Sequence, residues 1–362
     1  MGKRANIFGV QVINMPITVY ILYENSAWNQ PFIDEMSRRG MDCVLWDLKT
    51  AHIDLDSPPP LAPGPAVVFN RFSPSSYWRS SPQALHVATE MLRWLDAHKV
   101  PVVSGERPLR LEASKGLQHL ECRRHGVPAP PTRLCTADTL ELALRERGAA
   151  RAQAGEEEEE AGGARLPPPP HLLKPNCGGS GSDITLAADK RVRSPDHLVL
   201  VQDYVESPSD TLVRMEFVGG ELLYALEVRT SREDFNNCPS DHCTVEHCPI
   251  GAGAAGGGKF RRLAGFPNDA PQRELVQRLR RLIDTNGLDI AGVEAICDAG
   301  GSWWVIDINC VNTNYNRAIE RACAPGGSGV ERVVDLLARR AGGLRSPRTS
   351  GSPPGSAPPP RG

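Results

Sequence analysis

The stretch from 291 to 309 constrains the fold of this chain most, because two apolar, β-prone runs flank the dipeptide Gly300-Gly301. A two-residue glycine turn between such runs predicts a β-hairpin. Counting outward from the turn places Glu294 directly opposite Asp307, with Asn309 two residues further along the same face. Carboxylates about 5 Å apart repel each other, so the hairpin predicts a cation between them. Two carboxylates and an amide oxygen suit Mg²⁺ held jointly with phosphate oxygens.

The alternative for this hairpin is that its acids simply face water, as most carboxylates do. The run WWVIDIN at 303–309 argues against free solvation, because Asp307 lies between Ile306 and Ile308 and follows two tryptophans. Strand alternation predicts that both isoleucines point to the opposite face, into the core. The metal-site interpretation is therefore preferred.

The composition is that of a globular protein: 40% of the 362 residues are hydrophobic, which predicts a substantial core in two or three domains. The formal charge of −2 argues against nucleic acid as the main partner. No apolar run reaches the ~20 residues that span a bilayer, and the leader 1–15 lacks a signal peptide's apolar core and cleavage site. We therefore expect a cytoplasmic protein with no membrane partner, whose ten scattered cysteines are reduced.

The N-terminal third alternates strand and helix patterns, which predicts a small parallel sheet with helices on both faces. The predicted strands are 17–24, 41–48, 66–72 and 100–105, and the predicted helices are 32–40 and 81–98. Ligands approach such sheets at the carboxyl ends of the strands, which makes Asn70 and Arg71 candidate substrate contacts. A polar loop after the strand explains these two residues equally well.

Further helical patterns cover 112–125, 271–287 and 329–343. Two segments have compositions that cannot bury a core. The insertion 148–170 carries five consecutive glutamates between Gly/Ala and Pro runs, and the tail 344–362 is rich in Pro, Gly, Ser and Arg. Both are predicted to be disordered.

A glycine-rich loop follows Lys174 at the end of a short apolar run. Its members are Gly178, Gly179, Ser180, Gly181 and Ser182. Loops with so little side chain let backbone N–H groups approach phosphate oxygens, and the lysine adds a positive charge. The spacing is that of neither a Walker loop nor a dinucleotide fingerprint, and a glycine-rich turn without a ligand remains the alternative.

The segment 212–230 predicts a second hairpin around Gly219-Gly220. Its register puts Arg214 and Arg229 on one face, where two guanidinium groups could bracket a transferred phosphoryl group. They could equally pair with Glu216 or Glu227 at the surface.

A cysteine- and histidine-rich segment offers a different type of site. Its candidate ligands are Cys238, His242, Cys243, His247 and Cys248. The spacing is not a usual structural zinc pattern, and adjacent His-Cys pairs cannot easily bind one ion. A zinc module is therefore the less favoured hypothesis.

The order of these motifs resembles that of the ATP-grasp ligases, in the branch of the RimK-type and LysX-type carboxylate–amine ligases, over residues 100–340. The matching features are Ser114-Lys115 followed by Gln118, KPNCGGSGS at 174–182, QDYV at 202–205, the two-arginine hairpin, and AGVE with WVIDIN. The resemblance implies an α/β and α+β protein in which two α+β lobes of an ATP-grasp fold follow a Rossmann-like preATP-grasp domain. The implied boundaries are 16–104 for that domain, 105–200 for lobe 1 and 201–343 for lobe 2.

The resemblance also implies roles for individual residues. The implied nucleotide-binding residues are Lys115 and Lys174 for the phosphates, 178–182 as a phosphate lid, and Gln202, Asp203, Tyr204 and Val205 as the adenine hinge. The implied ligands of Mg²⁺, or of Mn²⁺ in its place, are Glu294, Asp307 and Asn309. The family usually has Asp at the first of these positions and Glu at the second, so this chain exchanges the two acid lengths.

The implied reaction couples a small-molecule carboxylate to an amine, such as an amino acid or peptide, through an acyl phosphate, with release of ADP and phosphate. Arg214 and Arg229 would hold the acyl phosphate. After Asn309 the family commonly has Pro-Gly, whereas this chain reads CVNTNYN, whose Asn312, Asn314 and Asn316 are acceptor contacts or a capped loop. Many such ligases are homo-oligomers. The competing hypothesis is a catalytically inactive ATP-binding regulatory protein of the same fold.

Overall fold

The computed structural model describes residues 15–79, 83–149, 171–179, 184–187, 192–230, 260–313, 315 and 328–343. These residues form three β-sheets with flanking helices, one sheet parallel and two antiparallel. The predicted mixture of α/β and α+β architecture is confirmed. The cysteine-rich segment 238–248 lies outside the described residues.

The first sheet is parallel, and its strands are β1 (Thr18–Tyr23), β2 (Asp42–Asp47), β3 (Ala66–Asn70) and β4 (Val102–Val103), in the order β2-β1-β3-β4. Alternate side chains of β1 face two helices, α1 (Gln30–Arg38) and α2 (Ala84–Ala97). Val19 and Ile21 pack in the cluster that contains α1, while Tyr20 and Leu22 pack in the cluster that contains α2. The prediction of helices on both faces is confirmed.

The helix predicted over 112–125 is present as α4 (Lys115–Arg124), and a separate helix that was not predicted, α3 (Glu106–Glu112), precedes it. Ser114 separates them because its backbone is extended, with φ −136°, and its side chain accepts a hydrogen bond from the N–H of Leu117. A serine in this role is a strong helix start signal. As a consequence, Lys115 is the first residue of α4.

The second sheet is antiparallel and consists of β5 (Thr132–Thr136), β6 (His171–Pro175), β7 (Thr185–Leu186) and β8 (Leu198–Asp203), in the order β5-β8-β6-β7. A helix over 140–149, here α5, covers one face through Leu140 and Ala143. Since β8 pairs with both β5 and β6, the predicted lobe boundary at 200/201 cuts through a strand of this sheet.

The third sheet is also antiparallel and has the strands β9 (Thr211–Val218), β10 (Glu221–Arg229), β11 (Phe260–Arg262), β12 (Ile290–Cys297) and β13 (Trp303–Asn309), in the order β11-β10-β9-β12-β13. Helix α6 (Ala270–Asn286) packs on one face and ends at Gly287, whose φ of 62° is left-handed. The other face carries a small apolar cluster that includes Leu212 and Leu226. This second face is directed toward the cleft described below.

The β12–β13 hairpin pairs Glu294 with Asp307, as predicted, but for a different reason. The backbone N–H of Asp298 donates to the carbonyl oxygen of Ser302, so the turn consists of the three residues 299–301. It is one residue longer than the predicted two-residue turn, and the extra residue, Ala299, is on the β12 side. A β-bulge then shifts the register back between Ala295 and Glu294. Bulges add one unpaired residue to one strand. Here two departures from the predicted register cancel at the acidic pair.

The bulge also corrects the prediction for Ile306. This residue packs with the apolar cluster on the cleft face, whereas Ile308 is fully buried in the core on the other side of the sheet. The inserted residue breaks the strict alternation of faces, so Ile306 and Asp307 both line the cleft. Sequence periodicity alone cannot reveal this.

Helix α7 (Gly329–Ala341) begins at a capping box formed by Ser328 and Glu331 and packs against the first sheet. Val333 and Leu337 are fully buried in the cluster that contains Val19 and Ile21 of β1. The end of the described chain therefore returns to the N-terminal sheet, and the same apolar cluster also includes Val218 of β9 and Ile290 of β12.

Two further observations concern the described residues. None of their helices combines the length and the apolar character that crossing a membrane requires. Their six cysteines, Cys43, Cys122, Cys135, Cys177, Cys297 and Cys310, are free thiols, as predicted for this part of the chain.

Replacing Gly329 by Ala should destabilise the docking of α7. A Cβ atom at this position would lie 2.6 Å from Cε1 of the buried Tyr315 ring, closer than packed atoms tolerate. We expect the free energy of unfolding to fall by about 1–3 kcal/mol, measured by denaturant titration. Gly342→Ala is the control, because its Cβ would meet only ordinary contacts at 3.6 Å and 3.7 Å. Equal stability of the two variants would contradict this packing.

Candidate functional site

An open cleft lies between the second and third sheets. One part of its wall is apolar and includes Leu172, Ile184, Leu212, Ile296 and Ile306. Another part is charged and consists of Lys115, Lys174, Glu294 and Asp307. The cleft can therefore take a ligand that has both an apolar portion and an anionic portion.

Two of the predicted metal ligands, Glu294 and Asp307, line this cleft, and each acid has a cationic neighbour. The Lys115 ammonium group donates to Oδ1 of Asp307, and Nη1 of Arg214 donates to Oε1 of Glu294 at 2.9 Å. Nδ2 of Asn309 lies 3.5 Å from Oδ2 of Asp307. The two adjacent carboxylates are thus held between one lysine and one arginine.

The two carboxyl groups have different proton affinities. Burial raises the pKa of Glu294 above its ordinary value, and the charge of Arg214 offsets this only in part. Burial also acts on Asp307, but the Lys115 ammonium group outweighs it and lowers the pKa of that carboxyl. Burial lowers the pKa of Lys115, and Asp307 more than compensates, so the lysine stays charged.

The donor set fits a shared divalent cation better than a closed protein site. Among the described residues, no group of three His, Cys, Asp or Glu side chains is arranged to hold a metal ion. Two acids and one amide leave most positions of a six-coordinate ion for other oxygen atoms. Mg²⁺ usually completes such a site with water and phosphate oxygens.

Lys174, at the end of β6, is the second cation in the charged part of the cleft. Its side chain is buried, and burial together with the charge of Lys115 lowers its pKa to about 8. Two lysines near one another in a buried wall repel each other unless an anion lies between them. The fold therefore brings both predicted phosphate lysines to one cleft.

The predicted hinge residues Gln202, Asp203, Tyr204 and Val205 all line the cleft. The Asp203 carboxylate, however, accepts two hydrogen bonds from Arg147 of α5, at 2.8 Å and 2.5 Å. Nδ1 of His171 lies 3.2 Å from the same carboxylate. A bidentate pair of this kind is directional. Asp203 thus fixes the hinge to α5, a function that the sequence did not predict.

The glycine-rich loop is described only at its beginning. Gly178 is buried, and Gly179 lines the cleft. A Cβ atom on Gly179 would come within 3.3 Å of Cβ of Ser75, a residue of the N-terminal domain. Ser180, Gly181 and Ser182 lie outside the described residues.

The prediction that Arg214 and Arg229 lie on one face of the sheet is wrong for Arg229. A register shift near Leu222 places Arg214 opposite Leu226, and Arg229 opposite Thr211 at the far end of the hairpin. Because Leu226 and Arg229 are three residues apart on β10, they lie on opposite faces of the sheet. Arg214 therefore contacts the acidic pair, while Arg229 is exposed on the other face.

The position of Arg214 depends on two residues that the sequence interpretation did not assign to the site. Nε of Arg214 donates to Oε1 of the buried Glu216 at 2.6 Å. The guanidinium group lies across Gly292 of β12, where a Cβ atom would be 2.8 Å from Cζ of Arg214. An isolated glycine in an apolar strand indicates such a close approach, so this signal was present in the sequence.

Asn70 and Arg71 are both buried and bind backbone carbonyl groups. Nδ2 of Asn70 donates to the carbonyl oxygen of Ser104 at 2.9 Å, and Nη1 of Arg71 donates to that of Thr313 at 2.8 Å. The first contact stays next to the first sheet, because Ser104 follows β4, and the second joins that sheet to the segment after β13. Their role in substrate binding stays a prediction.

No family model matches the sequence, and no curated protein matches it. Solved structures do match in fold. The D-cycloserine synthetase DcsG superposes with a TM-score of 0.63 at 18% identity, over 89% of this chain and 99% of that one. The ATP-grasp ligase PsnB, in a complex with Mg, ADP and a variant of its minimal precursor, superposes with a TM-score of 0.58 at 16% identity, over 90% of this chain and 98% of that one. A RimK domain ATP-grasp protein from Sphaerobacter thermophilus superposes with a TM-score of 0.56 at 16% identity, over 88% of this chain and 99% of that one.

The contact between Gly292 and Arg214 can be tested by a double-mutant cycle. Gly292→Ala alone should destabilise the protein, because the new methyl group displaces a guanidinium group held by the buried Glu216 and the partly buried Glu294. In an Arg214→Ala background the same change should cost less, giving a coupling free energy of about 1 kcal/mol or more in denaturant titrations. Strictly additive effects would show that the guanidinium group does not lie over Gly292.

Proposed function

We propose that this chain, which has the ATP-grasp fold, is an ATP- and Mg²⁺-dependent carboxylate–amine ligase. The observation that carries the proposal is the convergence of Lys115, Lys174, Glu294 and Asp307 in one cleft. These residues come from four different elements, and their chemistry is that of a site for a metal-bound polyphosphate. The neighbouring hinge and apolar wall provide room for a nucleoside.

ATP would lie with its base toward the hinge and its phosphates toward the lysines. The apolar side chains of Leu172, Ile184 and Leu212 offer flat contact surfaces for an aromatic base. The segment 203–205 provides backbone groups at the edge of the same wall. Lys115 and Lys174 would neutralise phosphate oxygens as point charges.

Glu294, Asp307 and Asn309 would hold Mg²⁺, with Mn²⁺ as a substitute of similar ligand preference. When bound, the metal supplies positive charge at the phosphate oxygens during transfer. Asp307 would exchange part of its contact with Lys115 for the metal, and Arg214 would keep Glu294 in place. Lys115 would then be available to the phosphate chain.

The proposed reaction has two steps. The substrate carboxylate attacks the γ-phosphorus of ATP, the bond from that phosphorus to the ADP oxygen breaks, and an acyl phosphate forms. An amine then attacks the acyl carbon, phosphate leaves with the C–O bonding electrons, and the nitrogen loses a proton. Lys115, Lys174 and Arg214 would stabilise the negative charge that develops on the oxygen atoms in both steps.

The substrates are proposed by class only. The names of the structural neighbours include a D-cycloserine synthetase and a ligase bound to its minimal precursor, so amino acids, small amines and peptides are the first classes to assay. The cytoplasmic location and a homo-oligomeric state are kept as predictions from the sequence.

The proposal is tested by the release of ADP and phosphate from Mg-ATP in the presence of pooled carboxylates and amines. Release should require both substrates and should fall by about 100-fold or more in Asp307→Asn, since the variant loses a metal-binding charge. Glu221→Gln is the control, because that acid is exposed on β10, where it pairs with Arg280 at the surface. Tight Mg-ATP binding without turnover in any pool would favour the inactive regulatory protein instead.

The depressed pKa of Lys174 predicts proton uptake on nucleotide binding. With a pKa of about 8, the amine is partly neutral at pH 8 in the free protein, and a phosphate oxygen beside it would favour the charged form. Calorimetry at pH 8 in buffers of different ionisation enthalpy should show up to ~0.5 proton bound per ATP, and close to none at pH 6. Affinity should accordingly decrease as the pH rises above 8.

Lys174→Arg is the matched control for this measurement. Arginine keeps the positive charge at every pH in the range and cannot take up a proton. The variant should therefore bind ATP without the proton uptake seen at pH 8. Unchanged uptake in Lys174→Arg would assign the proton to another group.

A further inference from the structure

The outer edge of the metal-ligand strand β13 is held by groups other than a neighbouring strand. The N–H of Val305 donates to the backbone carbonyl oxygen of Pro128 at 2.8 Å, and side chains hold the residues after the bulge. In the described sheet, β13 is the last strand, so its outward N–H and C=O groups need other partners. Oε1 of Gln118 accepts a hydrogen bond from the N–H of Ile308 at 3.0 Å, and its Nε2 donates to the C=O of the same residue at 3.0 Å. Gln118 thus replaces one residue of a neighbouring strand.

A second side chain holds the next part of this edge. Oε2 of the buried Glu112 accepts hydrogen bonds from the N–H groups of Cys310 and Val311, at 2.6 Å and 2.5 Å. The three backbone residues held in this way lie beside the proposed metal ligands. Ile308 separates Asp307 from Asn309 in the sequence, and Cys310 follows them.

The β-bulge explains why this edge needs support. The extra residue, Ile306, interrupts the ladder with β12 immediately before Asp307. A bulge disrupts pairing and bends the strand locally. A metal site tolerates displacements of only about 0.5 Å in its ligands. The double hydrogen bond at Ile308 therefore restores the order that the bulge removes.

Gln118 also connects the metal strand with the phosphate lysine. Lys115 and Gln118 are one turn apart on α4, so both side chains lie on the same side of the helix. Lys115 contacts the Asp307 side chain, while Gln118 holds the Ile308 backbone. At the start of the same turn, the N–H of Gly116 donates to Oδ1 of Asn176, two residues after Lys174, at 2.8 Å.

We infer that Gln118, assisted by Glu112, is a positioning residue that sets the spacing between the metal ligands on β13 and the phosphate lysine on α4. This inference rests on the proposed function. Gln118 acts through backbone atoms and touches neither nucleotide nor metal. Its removal should weaken the metal site specifically, because supporting residues of this kind affect metal affinity more than overall ligand binding.

The test is ATP binding by calorimetry over a series of Mg²⁺ concentrations, with ATP in EDTA as the reference. The methionine side chain of Gln118→Met has nearly the same length as glutamine, but it cannot form the hydrogen bonds to the N–H and C=O groups of Ile308. We expect its half-saturating Mg²⁺ concentration to rise by about 10-fold, with the EDTA affinity unchanged. Gln118→Glu keeps the acceptor for the N–H and loses the donor, so an intermediate rise is expected. Leu120→Met, on the exposed side of α4, is the control and should match the wild type.

The outcomes separate the inference from the proposed function. An unchanged Mg²⁺ requirement in folded Gln118→Met, even with a lower melting temperature, would overturn the inference and leave a purely structural role. Equal losses of affinity with and without Mg²⁺ would overturn it as well. If Gln118→Met does not fold, the same comparison is made with Gln118→Glu. Absence of Mg²⁺-dependent ATP binding in the wild type would overturn the proposed function itself.

Discussion

The repulsion between two partly buried, adjacent carboxylates is the constraint on which the site depends. Glu294 and Asp307 are paired across β12 and β13, and water cannot screen their charges as it would at a surface. Each acid is compensated from a different direction, by Lys115 of α4 and by Arg214 of β9. The third sheet alone therefore compensates Glu294, whereas the charge of Asp307 is compensated only when the α3–α4 segment packs against that sheet.

The charges in the cleft are only partly compensated by one another, and a ligand of the right charge would complete this compensation. The pKa of Lys174 is lowered to about 8 by burial and by the charge of Lys115. Glu294 keeps a raised pKa beside Arg214. A metal-bound polyphosphate would correct both conditions at once, because it brings a cation to the acids and anions to the lysines. The electrostatic cost that the free protein carries thereby becomes binding free energy for a specific ligand.

Support for these charged groups comes from residues that lie outside the cleft. Gly292 leaves the space that the guanidinium group of Arg214 occupies, and Glu216 orients it from below. Gln118 holds the backbone of β13, and Arg147 binds Asp203 at the hinge. In each case a buried polar group is satisfied by a directional hydrogen bond, so the arrangement is specific as well as stable. The site is consequently a property of three packed layers and not of one motif.

The sequence by itself determined the element types, the N-terminal parallel sheet and the glycine end of α6, because these depend on local periodicity and turn chemistry. It also predicted the opposition of Glu294 and Asp307, but in the structure this pairing results from a longer turn and a β-bulge whose register shifts cancel. Tertiary structure alone decided which face each arginine occupies and where Ile306 points. One-residue bulges in both hairpins settle these questions, and a bulge reverses faces without leaving a clear sequence signal. It also decided that α7 packs on the first sheet and that Gln118 completes the edge of β13. Such contacts join residues that are distant in sequence, and only the packed chain brings their hydrogen-bonding groups within reach of each other.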